Sequence, residues 1–181
     1  SYTTGGDVYS SPAVADGKVF VASVDKKVYA FGPPPRRDVA VTNVTPLKTV
    51  VGRGYTCRIN VTVKNEGNVI QNLTVTAYND TVAIETKTIR DLAPNAQATL
   101  TFTWNTLGVS YGNHVISATA DLPPGEVDVD PSDNSRVDGV VLVTVAGDID
   151  GDRMVNVFDA FILGRAYNSA PGGLNWNPNA D

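Results

Sequence analysis

Three aspartates at alternate positions, Asp148, Asp150 and Asp152, are the residues of this 181-residue chain whose types and spacing best fit a chemical task. Hard cations such as Ca²⁺ take six to eight oxygen ligands, and a twelve-residue loop supplies them from positions 1, 3, 5, 7, 9 and 12. With Asp148 at position 1, Asp150 and Asp152 fall at 3 and 5. The backbone carbonyl of Met154 falls at 7, Asn156 at 9 and Asp159 at 12. All six positions offer oxygen, and the apolar run that follows reads as a short helix, so the expected cofactor is a structural Ca²⁺. Two residues depart from the commonest pattern: Asp159 is shorter than the usual glutamate, and Arg153 stands at position 6, where glycine makes the sharp turn. A non-glycine residue at positive φ costs on the order of 1 kcal/mol, which weakens such a site without abolishing it.

Asp148–Asp159 and the following Ala160–Tyr167 resemble the first half of a type I dockerin, a calcium loop leading into a helix with no helix before it. The tail Asn175–Asp181 resembles that family's approach to a second loop, with Asp181 as its first position. The resemblance implies calcium binding. It says less about cohesin docking, because Val157 and Phe158 replace the small hydroxyl residues frequent at positions 10 and 11 and look suited to packing.

The charge balance narrows the partners. A net charge of −5 leaves no basic face for nucleic acid. No apolar run reaches the roughly 18 residues that span a bilayer, and no leader precedes Ser1, so the chain reads as a mature or excised segment. The single cysteine, Cys57, excludes an internal disulfide framework. Four Asn-x-Ser/Thr triplets, at Asn43, Asn60, Asn72 and Asn79, read as glycosylation sites and, with the calcium loop, point to an extracellular or cell-surface setting.

Residues 1–32 read as β-structure with tight turns, the clearest being Asp16-Gly17 between apolar runs. Tyr9–Ser23 through Tyr29-Ala30-Phe31 closely resemble one repeat of a quinoprotein-like (PQQ-like) β-propeller. A single repeat cannot assemble the ring that a quinone cofactor needs, so no enzyme is expected here. Residues 33–37, Pro-Pro-Pro-Arg-Arg, read as a stiff linker.

Residues 38–145 hold seven strand-length segments, at 38–44, 54–64, 69–79, 81–90, 97–104, 112–122 and 135–145. In the second, Tyr55, Cys57, Ile59, Val61 and Val63 alternate with polar residues, as a half-buried antiparallel strand requires. Leu73, Val75 and Ala77 repeat the pattern, as do Leu100, Phe102 and Trp104, then Ile116, Ala118 and Ala120. The expected fold is all-β, a seven-stranded immunoglobulin- or fibronectin-like sandwich. The phrases Asp38-Val39-Ala40-Val41, Val61–Gly67, Leu92–Ala96, Tyr111–Ile116 and Asp130–Ser135 resemble, in order, the CARDB family, a cell-adhesion-related sandwich of bacterial and archaeal surface proteins. That resemblance implies a fold and a surface habitat, and carries no ligand residues.

Other reactive residues read as structural. His114 has no nucleophile in a motif with it, Cys57 lies on an apolar face, and Trp104 and Trp176 lack a cluster of aromatics for sugar binding. The acidic stretch Glu126–Asp133 fits no standard cage and reads as solvated. Residues 146–181 form the half-dockerin-like end, joined to the sandwich by only Ala146-Gly147. Its helix carries Phe158, Phe161, Ile162 and Arg165 on one stripe and must pack on the sandwich or a partner. The expected function is a non-catalytic, calcium-stabilised adhesion or structural protein. In it, the N-terminal strands of one copy would add to a sheet edge of the next and build head-to-tail filaments. The other reading is an accessory end of a larger exported propeller protein that docks another surface protein.

Overall fold

A computed structural model describes residues 1–180, so the expected second-loop position Asp181 lies outside the described residues. The chain divides into two compact units, Ser1–Pro35 and the remainder from Arg36.

The first unit is an antiparallel sheet of β1 (Ala13–Ala15), β2 (Lys18–Ala22) and β3 (Val28–Phe31), in that order. Asp16 and Gly17 both take positive φ, 49° and 70°, the type I′ geometry that closes a two-residue hairpin between Ala15 and Lys18. Three short strands cannot enclose a core, and only Ser23 of this unit is buried. Local contacts hold it instead. The Tyr2 ring lies 5.5 Å from Tyr29 and 5.6 Å from Phe31. The Asp25 carboxylate accepts from the Tyr29 hydroxyl at 2.5 Å and from the Gly5 N–H at 3.1 Å.

The second unit is a sandwich built from β4 (Val39–Pro46), β5 (Val50–Gly52), β6 (Thr56–Asn65), β7 (Gln71–Asn79), β8 (Val82–Leu92), β9 (Gln97–Asn105), β10 (Gly112–Asp121) and β11 (Ser135–Thr144). One sheet runs β5-β11-β10-β7-β8 and the other β4-β6-β9. The alternation in β6 sends Cys57, Ile59, Val61 and Val63 inward to 0% exposure. They meet Leu73, Val75 and Ala77 of β7, Phe102 and Trp104 of β9, Ile116 and Ala118 of β10, and Val141 and Val143 of β11 in one continuous core.

The seven expected segments each form a strand, and the count is corrected to eight by β5. That element is three residues long, too short to show a period, and pairs parallel with β11 through Val50↔Leu142 and Val51↔Val143. Tyr55 is corrected too: it lies before β6 and is exposed, because the chain is still turning there. The Asn-x-Gly phrase after β6 has a packing reason. The Asn65 amide donates to the carbonyls of Val69 and Leu92, its Oδ1 accepts the Gly67 N–H, and a Cβ on Gly67 would stand 2.3 Å from the Arg36 carbonyl oxygen.

Beyond β11 come a loop, the helix α1 (Val157–Ala166) and a 3₁₀ turn at Pro178–Ala180. The tail returns to the sandwich through Asn179, whose Oδ1 accepts from the N–H groups of Thr49 and Val50 at 3.0 and 3.2 Å. Only Asp159 of α1 is buried. Val157, Phe158, Phe161 and Tyr167 are all more than 60% exposed, so the packing expected of Val157 and Phe158 does not occur within this chain. A ten-residue helix that touches mainly the tail has no surface on which to lay that face. No helix among the described residues is long and apolar enough to cross a membrane.

Candidate metal centre

The loop after β11 folds around the carboxylate of Asp148. This side chain is 3% exposed. Its Oδ2 accepts from the Thr144 hydroxyl at 2.5 Å and the Arg153 N–H at 2.8 Å, and its Oδ1 accepts the Gly151 N–H at 2.7 Å. Thr144 is the last residue of β11, so the strand itself orients the first candidate ligand. Gly151 lies where a Cβ would meet Leu142 and Val50 side chains at 3.1 Å, which seats the loop against β11 and β5. Arg153 takes φ 71°, the left-handed turn expected at the position where glycine is usual.

Asp148, Asp150 and Asp152 each bring one carboxylate oxygen to within 4.8 Å of the others. Two oxygens on opposite sides of a calcium ion, each about 2.3–2.6 Å from it, are about 5 Å apart, so this spacing fits one ion between them. Asp150 and Asp152 are exposed and orient each other locally, Asp150 Oδ1 accepting the Asp152 N–H at 3.0 Å and Asp152 Oδ1 the Met154 N–H at 2.7 Å. At Asp150 the Asp152 N–H favours the ionised form. Desolvation and the carboxylates of Asp152, Asp159 and Asp148 outweigh it and push the group above the ordinary carboxylate value. A cation would relieve that repulsion.

The other three candidate positions stand differently. Asn156 is the N-cap of α1, its Oδ1 accepting the Phe158 N–H at 2.8 Å while its amide faces Asp152 at 3.4 Å. Met154 follows Asp152 on the exposed side of the loop. Asp159 lies apart from the tight trio and braces both ends of the loop. Its Oδ2 accepts the Asn156 N–H at 2.8 Å, closing the capping box, and its Oδ1 accepts the Ile149 N–H at 2.6 Å and that of Asp150 at 3.3 Å. Those bonds, Asn156 first, hold its carboxyl below the usual range. Sequence spacing alone gave no sign of this bracing role, since position 12 in a loop and N3 of a helix are the same residue here.

The sequons divide by burial. Asn43 and Asn72 are exposed, and Asn60 is half-buried with its Oδ1 accepting from Thr101 at 2.8 Å. Asn79 is the buried one, 8% exposed, with its Oδ1 sealed from solvent and without a hydrogen-bond partner. It ends β7, paired with Ile116 on one side and Val82 on the other.

His114 is buried against Trp104 with ring centroids 5.8 Å apart. Its Nδ1 faces Asp80 Oδ2 at 2.8 Å and its Nε2 the Ser110 carbonyl at 2.9 Å. The Val115 N–H first, and then His114, hold the Asp80 carboxyl below its ordinary value of 3.8. A carboxyl lowered on folding contributes stability that is complete above its unfolded pKa and lost as pH falls through the folded one. Thermal melts between about pH 5 and pH 2 are therefore expected to fall less steeply in Asp80→Asn than in the parent, which starts more stable. Parallel slopes would remove Asp80 from the acid response.

With this geometry in place, the CARDB family profile matches residues 36–134, more than half of the 181 residues. The chain belongs to the CARDB family. The match begins at the second unit and stops just before β11, so the loop and helix lie outside it. The chain is similar to solved CARDB structures. The solution NMR structure of a CARDB domain from Pyrococcus furiosus aligns at 25% identity and a TM-score of 0.50, over 60% of this chain and 95% of that one. The crystal structure of the same domain, in complex with di-metal ions, aligns at 25% identity and 0.48, over 60% and 88%. A domain from a Methanosarcina acetivorans protein, whose name gives it an inferred place on the cell surface, aligns at 19% identity and 0.47, over 60% and 92%. No curated protein matches the chain.

Proposed function

We propose that this CARDB protein is a non-catalytic, extracellular structural or adhesion protein whose C-terminal loop binds a structural Ca²⁺. The observation that carries the reading is the convergence of the Asp148, Asp150 and Asp152 carboxylates within 4.8 Å, on a loop anchored to β11 through Thr144. Such an ion adds no reactive centre. It ties three mutually repelling carboxylates to the sandwich and so stiffens its C-terminal end, at the calcium concentrations of an extracellular setting. Met154, Asn156 and Asp159 would complete the shell, and Asn43, Asn60, Asn72 and Asn79 are the candidate glycan sites, Asn79 the most buried of them. The half-dockerin resemblance of this end and the propeller-repeat resemblance of residues 1–32 belong to the same reading.

The sheet edges support a reading of self-assembly by strand addition. The first unit offers unpaired edges on β1 and β3. Among the sandwich edges, β8 carries Glu85, Lys87, Arg90 and Asp91, and β4 has a bulge and Pro46, devices that discourage pairing. Edge strand β9 contains neither charge nor proline over nine residues and is the preferred acceptor, although Lys87 covers its Thr101 carbonyl at 2.6 Å. Light scattering and electron microscopy of the purified chain, in millimolar calcium and in excess EGTA, test this. Filaments that shorten on chelation support assembly, and a calcium-indifferent monomer sinks it.

The second reading, a docking end of a larger exported protein, is favoured by the exposed apolar face of α1, where Phe158 and Phe161 are 66% and 61% exposed. In that case a monomer would capture a surface protein, and Phe158→Asp with Phe161→Asp would abolish capture without lowering the melting temperature.

A further inference from the structure

A cleft of about 710 Å³, which the calcium reading leaves unused, lies between the outer face of the β4-β6-β9 sheet and the C-terminal tail. Its floor follows from the period of two. The alternation that buries Cys57, Ile59, Phe102 and Trp104 turns Thr56 and Arg58 of β6 and Thr103 of β9 outward, and Arg58 and Thr103 are direct partners across the strands. The tail forms the roof, with Ser169, Pro171 and Trp176 in the lining. Turn bonds fix its path, the Gly173 N–H donating to the Ala170 carbonyl at 2.9 Å and the Trp176 N–H to that of Gly173 at 3.0 Å. The Asn179 clamp on Thr49 and Val50 then ties it to the sandwich, so the cleft is formed before any ligand arrives.

The charge of the cleft is opposite to that of the chain. In a protein of net charge −5, the lining carries Lys48 and Arg58 and, among the described residues, no carboxylate. Arg58 is exposed, and among the described residues its guanidinium has neither an ion pair nor a hydrogen-bond partner. A guanidinium is a planar fork that fits a carboxylate through two parallel bonds. Trp176 is half-buried and also lines hollows beside Ile162 and Leu163 of α1, so the helix end holds a flat apolar ring at the cleft. The hydroxyls of Thr56, Thr103 and Ser169 add donors and acceptors. β6 is the central strand of its sheet, so its backbone is already paired and no peptide strand can add there. Recognition falls to side chains: a cation, a flat ring and several hydroxyls.

We propose that this cleft binds an acidic polysaccharide, a chain of uronate-like sugars, with Arg58 on a carboxylate and Trp176 against the apolar face of a sugar ring. The volume lies within the roughly 300–1,000 Å³ of ligand sites and admits a short run of sugars. Lys48, also in the lining, adds attraction for negative charge. Trp176 has no cluster of aromatics around it, and a single ring suffices because the fold brings Arg58 and three hydroxyls to the same cleft. The site gives the adhesion reading a target chemistry, yet depends neither on calcium in the Asp148 loop nor on strand addition.

Calorimetric titration of the full chain with tri-galacturonate tests it, with maltotriose as the neutral sugar and tri-glutamate as the acidic peptide. The acidic sugar is expected to bind once per chain at about 0.1–1 mM, about tenfold or more tighter than either control. Arg58→Gln is expected to remove that preference, weakening the acidic sugar about tenfold and leaving maltotriose unchanged. Trp176→Ala is expected to weaken both sugars. Because the Arg58 side chain is exposed, Arg58→Gln should melt at the parent temperature, and it decides alone if Trp176→Ala loosens the tail. Three results overturn the site: no saturable binding at about 10 mM, a control that binds as tightly as tri-galacturonate, or affinity indifferent to Arg58→Gln or to a folded Trp176→Ala.

Discussion

Millimolar calcium is expected to raise the melting temperature of the EGTA-treated protein by about 5–10 °C, and Asp148→Ala to abolish the rise. The size follows from linkage. A ligand at one hundred times its dissociation constant stabilises the folded state by about 2.7 kcal/mol, and each kcal/mol is worth roughly 2–4 °C in a chain of this length. The fluorescence of Trp104, buried in the sandwich core, reports the relevant unit directly. Asp148→Ala has a second effect visible without calcium. The Thr144 hydroxyl and the Gly151 and Arg153 N–H groups all lose their acceptor, so the chelated variant is expected to lose about 1–3 kcal/mol as well. Asp150→Asn separates the two roles. The Asp152 N–H pulls the carboxyl of this exposed side chain down, but desolvation and the carboxylates of Asp152, Asp159 and Asp148 push it up further, so its neutral form should be no less stable than the parent in EGTA while losing the calcium response. Equal melting curves in calcium and EGTA for the parent would remove calcium from the function altogether.

The second large effect is expected at Phe102. Its ring is fully buried where β9 faces β7, β10 and β11 across the sandwich, and it is the largest of the fully buried side chains. Phe102→Ala removes the ring and leaves a cavity in a close-packed interior, a change that costs about 3–5 kcal/mol. Domains of this kind have about 5–15 kcal/mol in total, so the urea midpoint of the sandwich should fall by about a fifth or more with little change in slope. Tyr167→Ala is the matched control: its ring is 77% exposed and its loss should leave the midpoint unchanged. A loss of unfolding free energy below about 1 kcal/mol for Phe102→Ala would mean that the two sheets are not packed through this ring.

What the sequence determined by itself is what depends on near neighbours. The period of two in β6 places Cys57, Ile59, Val61 and Val63 on one face whatever lies opposite, and in the structure all four are fully buried. Asp16-Gly17 closes its hairpin because both residues tolerate positive φ. Alternate aspartates bring Asp148, Asp150 and Asp152 together because an Asx-rich turn is a local object.

Tertiary structure decided the rest, because it joins residues that no local period relates. β5 exists only because Val50 and Val51 find Leu142 and Val143, some ninety residues away, as parallel partners. Asn79 satisfies a sequon yet is buried, since the pairing of β7 with β10 and β8, and not the triplet, sets its exposure. Asp159 braces the loop because the helix start and the loop start, ten residues apart, meet at one carboxylate. The sealed Oδ1 of Asp133 was equally hidden: an acidic stretch reads as solvated until the fold buries one of its oxygens.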